Sequence, residues 1–353
     1  MTIVVGFDLH REQITFDLLS RVTGEVVVGR IAPANRETLA GWYASLEGEF
    51  IVAVEGTTGW RYVVEEGAAA GGRMLLAEAA QTRALRGPKR KAKNDRLDAR
   101  HLRELADSGR VPESWIAPGF LLDLRGTVRQ RHTLCDERGA MQQRIHALLF
   151  HAGCPVLPGG GLLSEASRSW VLARRELTAS MRLQVSRYYA VIDLLDEVIA
   201  AIDQDLRRFA RAHRACIALE GLYGVGFLTA CALYAEIGDA RRFPSSAKVV
   251  RYAGLDVTVF ESAGHRAPGR LSRQGSPVLR WAAYEAALSA TRPGSPDHAA
   301  YRALRERGVT HQEAVITIAR RVLARAYHLL VAIGAGTLEE PATDERRSAS
   351  SVA

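Results

Sequence analysis

The stretch IVVGFDLHREQITFDLLSRVTGEVVVGRI (residues 3–31) decides the fold. It holds three β-rich runs, Ile3 to Asp8, Gln13 to Leu19 and Glu25 to Ile31, separated by His-Arg-Glu and Thr-Gly turn signals, and so predicts a meander of three strands. Working outward, Asn35 is placed to cap a helix running to Leu46, and the apolar run Phe50 to Val54 gives a fourth strand ending at Glu55. A helix follows from Thr58 to Ala70, then a fifth strand from Arg73 to Leu76, and a basic stretch leads into a helix over Asp95 to Asp107. The expected order is β-β-β-α-β-α-β-α.

Beyond it the chain turns helical. Residues 118–150 read as helix, PVLPGGGLLS (155–164) as a Pro/Gly loop, and Thr178 to Arg211 as one long helix. Within that helix Val185, Tyr188, Ile192, Leu195, Ile199, Ile202, Leu206 and Phe209 alternate steps of three and four, the a/d pattern of a coiled coil. Periodicity does not identify the partner, so a hairpin within one subunit and a dimer seam both fit. From Ala215 come short, Gly-punctuated helices, a hairpin from Val257 to Pro268, a helix starting at Pro277 and a last helix over Thr310 to Ala335. The closing LEEPATDERRSASSVA has no apolar pattern and reads as a disordered tail.

With 353 residues the chain is long enough for two or three domains. Its 47 Lys plus Arg against 39 Asp plus Glu leave a formal +8, which favours a polyanionic partner. Only four of these cations are lysines, Lys89, Lys91, Lys93 and Lys248, and three of them lie within five residues. Arginine enrichment can follow from a GC-rich genome alone; lysine clustering does not. At 47% hydrophobic and 24% charged the composition excludes a disordered or collagen-like chain. No apolar run approaches the ~18 residues of a membrane span. The start, MTIVVGFDLHRE, has no basic n-region or cleavage site, so a cytoplasmic, nucleoid-associated protein is expected. Cys135, Cys154, Cys216 and Cys231 are too scattered for a disulfide framework or zinc site and read as reduced core thiols. No lysine follows a glycine, so there is no Walker A loop, and neither G-x-S-x-G nor H-E-x-x-H occurs. Any chemistry falls to carboxylates, hydroxyls and arginines.

Asp8 ends one apolar strand and Glu55 another, and in a sheet that pairs them both emerge at one edge. Asp95 and Asp98 stand three apart and share a helix face. Four converging acids repel unless cations neutralise them, and hard oxygen ligands select Mg²⁺ or Mn²⁺. Two such ions ~3.5–4 Å apart hold both oxygens of a phosphodiester exchange. Each acid also has a local reading: Asp8 as a turn residue, Glu55 as a cap, the Asp pair as a solvated face. Together they fit one topology, the ribonuclease-H-like fold. The strip Lys89, Arg90, Lys91 and Lys93 just before the Asp pair suits a phosphate backbone, or equally a flexible solvated loop.

Two further elements stand out. In LYGVGFLTA (222–230), Gly224 and Gly226 resemble the turn of a helix-hairpin-helix, whose backbone N–H groups approach DNA phosphate; a plain tight turn is the local alternative. In RLSRQGSPVLR (270–280), Ser276 before Pro277 makes a good N-cap. The same position, flanked by Arg273 and Arg280, would draw a phosphoryl group within reach of a serine hydroxyl able to attack it.

Together VVGFDLH, VAVEGTTGW, KNDRLDARHLRELA, LYGVGFLTACALYAEIGD, FPSSAKVVRYAGLD and RLSRQGSPVLRWAAYEAA resemble the DEDD-type transposases of the insertion-sequence one-ten and eleven-eleven groups. The N-D-x-x-D-A run and the Y-A-G-L-D block followed by G-S-x-x-L-R are the most specific parts. The resemblance implies an α/β plus α architecture: an N-terminal RuvC-like domain (1–112) with Asp8, Glu55, Asp95 and Asp98 as metal tetrad, a helical coiled-coil connector (113–213), a C-terminal transposase domain (214–336) whose nucleophile is Ser276, and a tail (337–353). It further implies DNA as substrate, a structured non-coding guide RNA, and dimers that assemble into tetramers with serine and tetrad meeting across subunits. Two rivals remain, an actin-like sugar kinase suggested by G-F-D-L on the first strand and a non-catalytic nucleic-acid scaffold. The kinase requires a second phosphate loop mid-chain, and none is found.

Overall fold

Strands β1 (Thr2–Leu9), β2 (Ile14–Ser20) and β3 (Val26–Ile31) form the meander, followed by α1 (Arg36–Ala44), β4 (Glu49–Glu55), α2 (Trp60–Ala69), β5 (Arg73–Ala77), α3 (Ala79–Leu85), α4 (Asp95–Asp107) and β6 (Glu113–Ser114). The structure, a computed structural model, describes residues 2–86, 94–159, 161–257, 261–262, 265–266 and 269–341. It divides into two compact units, Met1–Ile116 and Ala117–Ala353, and the two long helices expected as a connector fall in the second.

In the first unit the sheet order is β3-β2-β1-β4-β5-β6, with β1, β4 and β5 parallel and the other pairings antiparallel. Helix α3 and strand β6 were not expected; at seven and two residues they are too short to show a periodicity. The alternation of a strand assigns the two faces. Val5, Phe7, Val52 and Val54 pack with Leu39 and Tyr43 of α1 and Val63 of α2, whereas Val4 and Ala53 pack with Leu102 and Ala106 of α4. By the same alternation Gly6, Asp8 and Glu55 belong to the α4 face.

Helix α4 lies very close to β1. A Cβ on Gly6 would stand 2.0 Å from the Ala99 carbonyl oxygen and 2.4 Å from the Arg103 nitrogen, both backbone atoms that cannot swing aside. A buried ion pair from Arg103 to Asp17 of β2 fixes the same crossing, the two side chains being only 8% and 4% exposed. Gly6→Ala is therefore expected to lower stability by about 2 kcal/mol or more by pushing α4 off the sheet. A urea midpoint equal to that of the parent chain would show that α4 does not need this approach.

The second unit comprises α5 (Gly119–His151), α6 (Glu165–Leu172), α7 (Ala179–Ala212), α8 (Arg214–Glu220), α9 (Phe227–Ile237), α10 (Ser246–Tyr252), β7 (Glu261–Ser262), β8 (His265–Arg266), α11 (Pro277–Leu288), α12 (His298–Glu306) and α13 (His311–Ile333). The seam of α7 is buried at Val185, Tyr189, Ile192, Leu195, Ile199, Ile202, Leu206 and Ala210. Tyr189 and Ala210 replace the expected Tyr188 and Phe209, because a straight helix drifts against a strict 3.5-residue repeat. That seam packs on α5 and α9 of the same unit, with Val185, Tyr189 and Ile192 meeting Ile145 and Leu149. The periodicity thus marks an intramolecular hairpin. A second, unburied stripe of Leu183, Val191, Leu194 and Val198 follows another face of α7. The cysteines are all free, Cys216 and Cys231 buried and Cys135 and Cys154 only partly so.

His213, between α7 and α8, is almost fully buried and stacks on Phe209 and Tyr234 with centroids 5.2 and 4.4 Å away. Its Nε2–H donates to the Glu339 carbonyl at 3.1 Å, while Nδ1 accepts from the Ala215 N–H at 3.2 Å. Both nitrogens are satisfied only in the neutral ring, and burial depresses its pKa from 6.5 to about 4. The unfolded chain takes up a proton below pH 6.5 that the folded chain refuses, so this contribution is complete above pH 6.5 and is lost as pH falls toward 4. Denaturant midpoints should fall over that window by the equivalent of up to about 3 kcal/mol, and the fall should be shallower in His213→Gln. An identical acid limb in the variant would assign the loss to other groups.

Candidate active site

The parallel register that pairs Phe7 with Val54 sets Asp8 beside Glu55 at the carboxyl ends of β1 and β4. Both face α4, whose first turn carries Asp95 and Asp98 behind an Asn94 cap. One helical turn on, Leu102 enters the core beneath the sheet face, which fixes the phase that turns the acids toward the strand ends. All four expected acids therefore converge. Asp98 is buried and the other three are partly so.

Burial pushes the Asp8 carboxyl above its ordinary range; His10 opposes this, and the charges of Asp98 and Asp95 add to it. Glu55 is raised in the same way, by burial first, against the pull of Arg86 and with the push of Asp98 and Asp8. Two basic side chains, His10 and Arg86, lie against the acids. His10 Nε2 lies 3.0 Å from Asp8 Oδ2 and 3.5 Å from Asp95 Oδ1. Arg86 donates through Nη1 to Asp98, and its Nη2 is 3.8 Å from Glu55 Oε1. The helix N-terminus adds its own partial positive charge.

Ser276 is the N-cap of α11, its Oγ accepting the Leu279 N–H at 3.1 Å, with Pro277 opening the helix. The loop before it is laced to the turn after α10. The Arg273 N–H donates to the Gly254 carbonyl at 3.1 Å, the Ser272 N–H to the Asp256 carbonyl at 3.0 Å, and the Ser272 hydroxyl to the Asp256 carboxylate. Arg273 is exposed and adopts φ 52°. Arg280 points into the loop rather than away from it, Nη1 lying within 3.3 Å of the Ala253, Arg273 and Gly275 carbonyls.

The two glycines of the hairpin-like turn are engaged within the fold. A Cβ on Gly224 (φ 84°) would meet Ser289 Oγ at 2.4 Å and the Ala286 oxygen at 2.5 Å, so glycine is needed there for packing on α11. Gly226 caps α9, and its N–H donates to Thr229 Oγ1 at 3.0 Å. Lys89, Arg90, Lys91 and Lys93 lie outside the described residues.

A family model described as Transposase, of the DEDD type, matches residues 5–152, which include all four acids. A second, described as Transposase IS116/IS110/IS902 family, matches residues 216–302, including Ser276. Over both matched segments the chain is similar to this transposase family. It is 27% identical over 190 residues to the "Transposase for insertion sequence element IS1111A" of Coxiella burnetii, covering 53% of this chain and 52% of that protein. It is likewise 27% identical over 157 residues to the "Insertion element IS110 uncharacterized 43.6 kDa protein" of Streptomyces coelicolor, covering 43% and 38%. A "Probable family 20 transposase" of Pseudomonas aeruginosa is 23% identical over 193 residues, covering 53% and 57%. The chain thus spans about half the length of the curated relatives it matches, or less.

Two residues of the site, His10 and Arg86, had not been expected from the sequence. His10 had a usable signal: two residues beyond Asp8, it shares the strand face of that acid. Arg86 had none, since it reaches the acids only because α3 folds between β5 and α4. The donor set suits a hard divalent cation. Asp8, His10 and Asp95 each present a ligand atom within 4.8 Å of the others, and carboxylate oxygens dominate the cluster. Among the described residues no helix is long and apolar enough to cross a membrane.

Proposed function

We propose that the chain is a DNA transposase that cuts and rejoins DNA through a covalent link to Ser276, assisted by Mg²⁺ or Mn²⁺ at Asp8, Glu55, Asp95 and Asp98. The observation that carries this reading is the convergence of the four acids on the α4 face of a sheet ordered β3-β2-β1-β4-β5, the arrangement a RuvC-like, ribonuclease-H-like domain requires. When bound, the ion stabilises the charge that develops on a phosphodiester's oxygens. Asp8 and Glu55 present carboxylates from the strands, and Asp95 and Asp98 close on them from the helix. Ser276 Oγ is held at a helix N-terminus, where phosphate oxygens are attracted, and exposed Arg273 beside it draws the nucleic-acid backbone.

A structured guide RNA is the partner that lets one protein act on different DNA ends, and the cationic strip Lys89, Arg90, Lys91 and Lys93 suits either nucleic acid. Self-association as a dimer, and then a tetramer, would use the unburied stripe of α7. Leu183, Val191, Leu194 and Val198 recur at helical spacing with exposed Arg187 and Glu197 toward either end, so an antiparallel second copy sets opposite charges together.

The test is incubation of the chain and its element's flanking RNA with labelled DNA spanning an element end. A Mg²⁺-dependent protein–DNA adduct that survives denaturation is the expected product. Tight binding with no adduct or joined strand in Mg²⁺ or Mn²⁺ would leave a nucleic-acid scaffold instead.

A further inference from the structure

We infer that Arg280 is a positioning residue for Ser276, the post that ties the serine loop to the turn after α10, and not a contact for DNA phosphate. The inference rests on the reading of Ser276 as nucleophile.

A guanidinium beside a candidate phosphoryl site invites assignment as a phosphate ligand, and sequence alone favours that. The geometry points elsewhere. Arg280 Nη1 lies 3.0 Å from the Ala253 oxygen, 3.3 Å from that of Arg273 and 3.2 Å from that of Gly275. One acceptor belongs to the turn and two to the serine loop, so a single nitrogen bridges segments more than fifteen residues apart. Three carbonyls converge on it only because the backbone is held in conformations that side chains disfavour: φ 68° at Gly254, 139° at Gly275 and 52° at Arg273. The fit leaves no slack. A Cβ at Gly254 would stand 2.8 Å from Arg280 Nη1, and one at Gly275 would stand 2.0 Å from the Tyr252 oxygen. Carbonyl oxygens crowded in this way repel one another unless a cation lies among them. Arg280 supplies that cation, the bonds of Ser272 and Arg273 to Asp256 and Gly254 complete the lacing, and Ser276 follows directly as the helix cap.

Arg280→Lys, Arg280→Ala and Arg273→Ala separate the two roles in the full chain. The probe is a short duplex of random sequence, titrated across a range of salt, together with amide exchange and single-turnover strand joining at saturating DNA. A lost phosphate contact lowers the slope of log affinity against log salt by about one. Arg273→Ala is expected to do so. Both Arg280 variants are expected to leave the slope unchanged and to slow joining at least tenfold. They should also speed exchange of the Ser272 and Arg273 amides at least tenfold without affecting α13. The proposal is overturned if Arg280→Ala lowers the slope by about one, Arg280→Lys restores it, and the two amides stay protected. Should Arg280→Ala fail to fold, Arg280→Lys decides alone, since lysine keeps the charge but lacks the planar fork. If Ser276→Ala still joins strands while the Arg280 variants lose amide protection at constant slope, the loop post stands and the nucleophile reading falls.

Discussion

Asp98→Asn should reduce metal-dependent DNA cleavage by at least about a hundredfold while leaving the fold intact, a loss of roughly 3 kcal/mol in transition-state stabilisation. The substitution is nearly isosteric, and the amide oxygen still accepts from Arg86 Nη1, which now holds the carboxylate. What disappears is one negative charge that, after burial, adds to the upward pKa shifts of Asp8 and Glu55. If the acids exist to hold a cation, the metal-free variant should be as stable as the parent chain or more so, because a like-charge repulsion has been removed. The stabilisation that Mg²⁺ or Mn²⁺ gives the parent should shrink at the same time. A residue kept only for structure would behave oppositely, losing stability without ions and keeping its response to them. Thermal melts with and without Mn²⁺, beside cleavage of labelled element ends, distinguish the two. Unchanged dependence of cleavage on added Mg²⁺ would remove Asp98 from the metal site.

Much of this site was legible in the sequence because it rests on short-range rules. An acid at the end of an apolar run must leave the sheet at its edge, and Asp95 and Asp98 share a face at any spacing of three on a helix. Gly6 marks the same site less directly: only a residue without Cβ lets α4 come close enough to bring its first turn over Asp8. The interpretation of α7 had no such anchor. Its stripe was correctly apolar, yet a stripe does not name its partner, and here α5 and α9 fill it. The unburied set Leu183, Val191, Leu194 and Val198 escaped notice because the stronger periodicity masked it. The positioning role proposed for Arg280 had no sequence signal for a related reason. Its charge and its nearness to Ser276 are sequence facts, but its direction depends on a turn more than twenty residues earlier.

Ser276→Ala should abolish strand joining, and Ser276→Asn should do the same without disturbing the helix. The pair is needed because Ser276 Oγ already has a structural task, accepting the Leu279 N–H as the cap of α11. Removing a cap costs about 1 kcal/mol, enough to blur a partial loss of activity. Asparagine caps as well as serine but offers no nucleophilic oxygen, so it restores the helix and not the chemistry. In the proposed step the Oγ–P bond forms as the scissile P–O bond breaks, the hydroxyl proton leaves Ser276 and the departing strand oxygen takes up a proton. The reverse attack by another strand's hydroxyl frees the serine. The phosphodiester bond is conserved throughout, so no ATP is consumed, in keeping with a chain that lacks a Walker A loop. Both variants should retain DNA binding and its salt dependence, and neither should yield an adduct that survives denaturation. Wild-type joining by Ser276→Asn would mean that the hydroxyl serves only the helix, and the nucleophile would then have to be sought elsewhere.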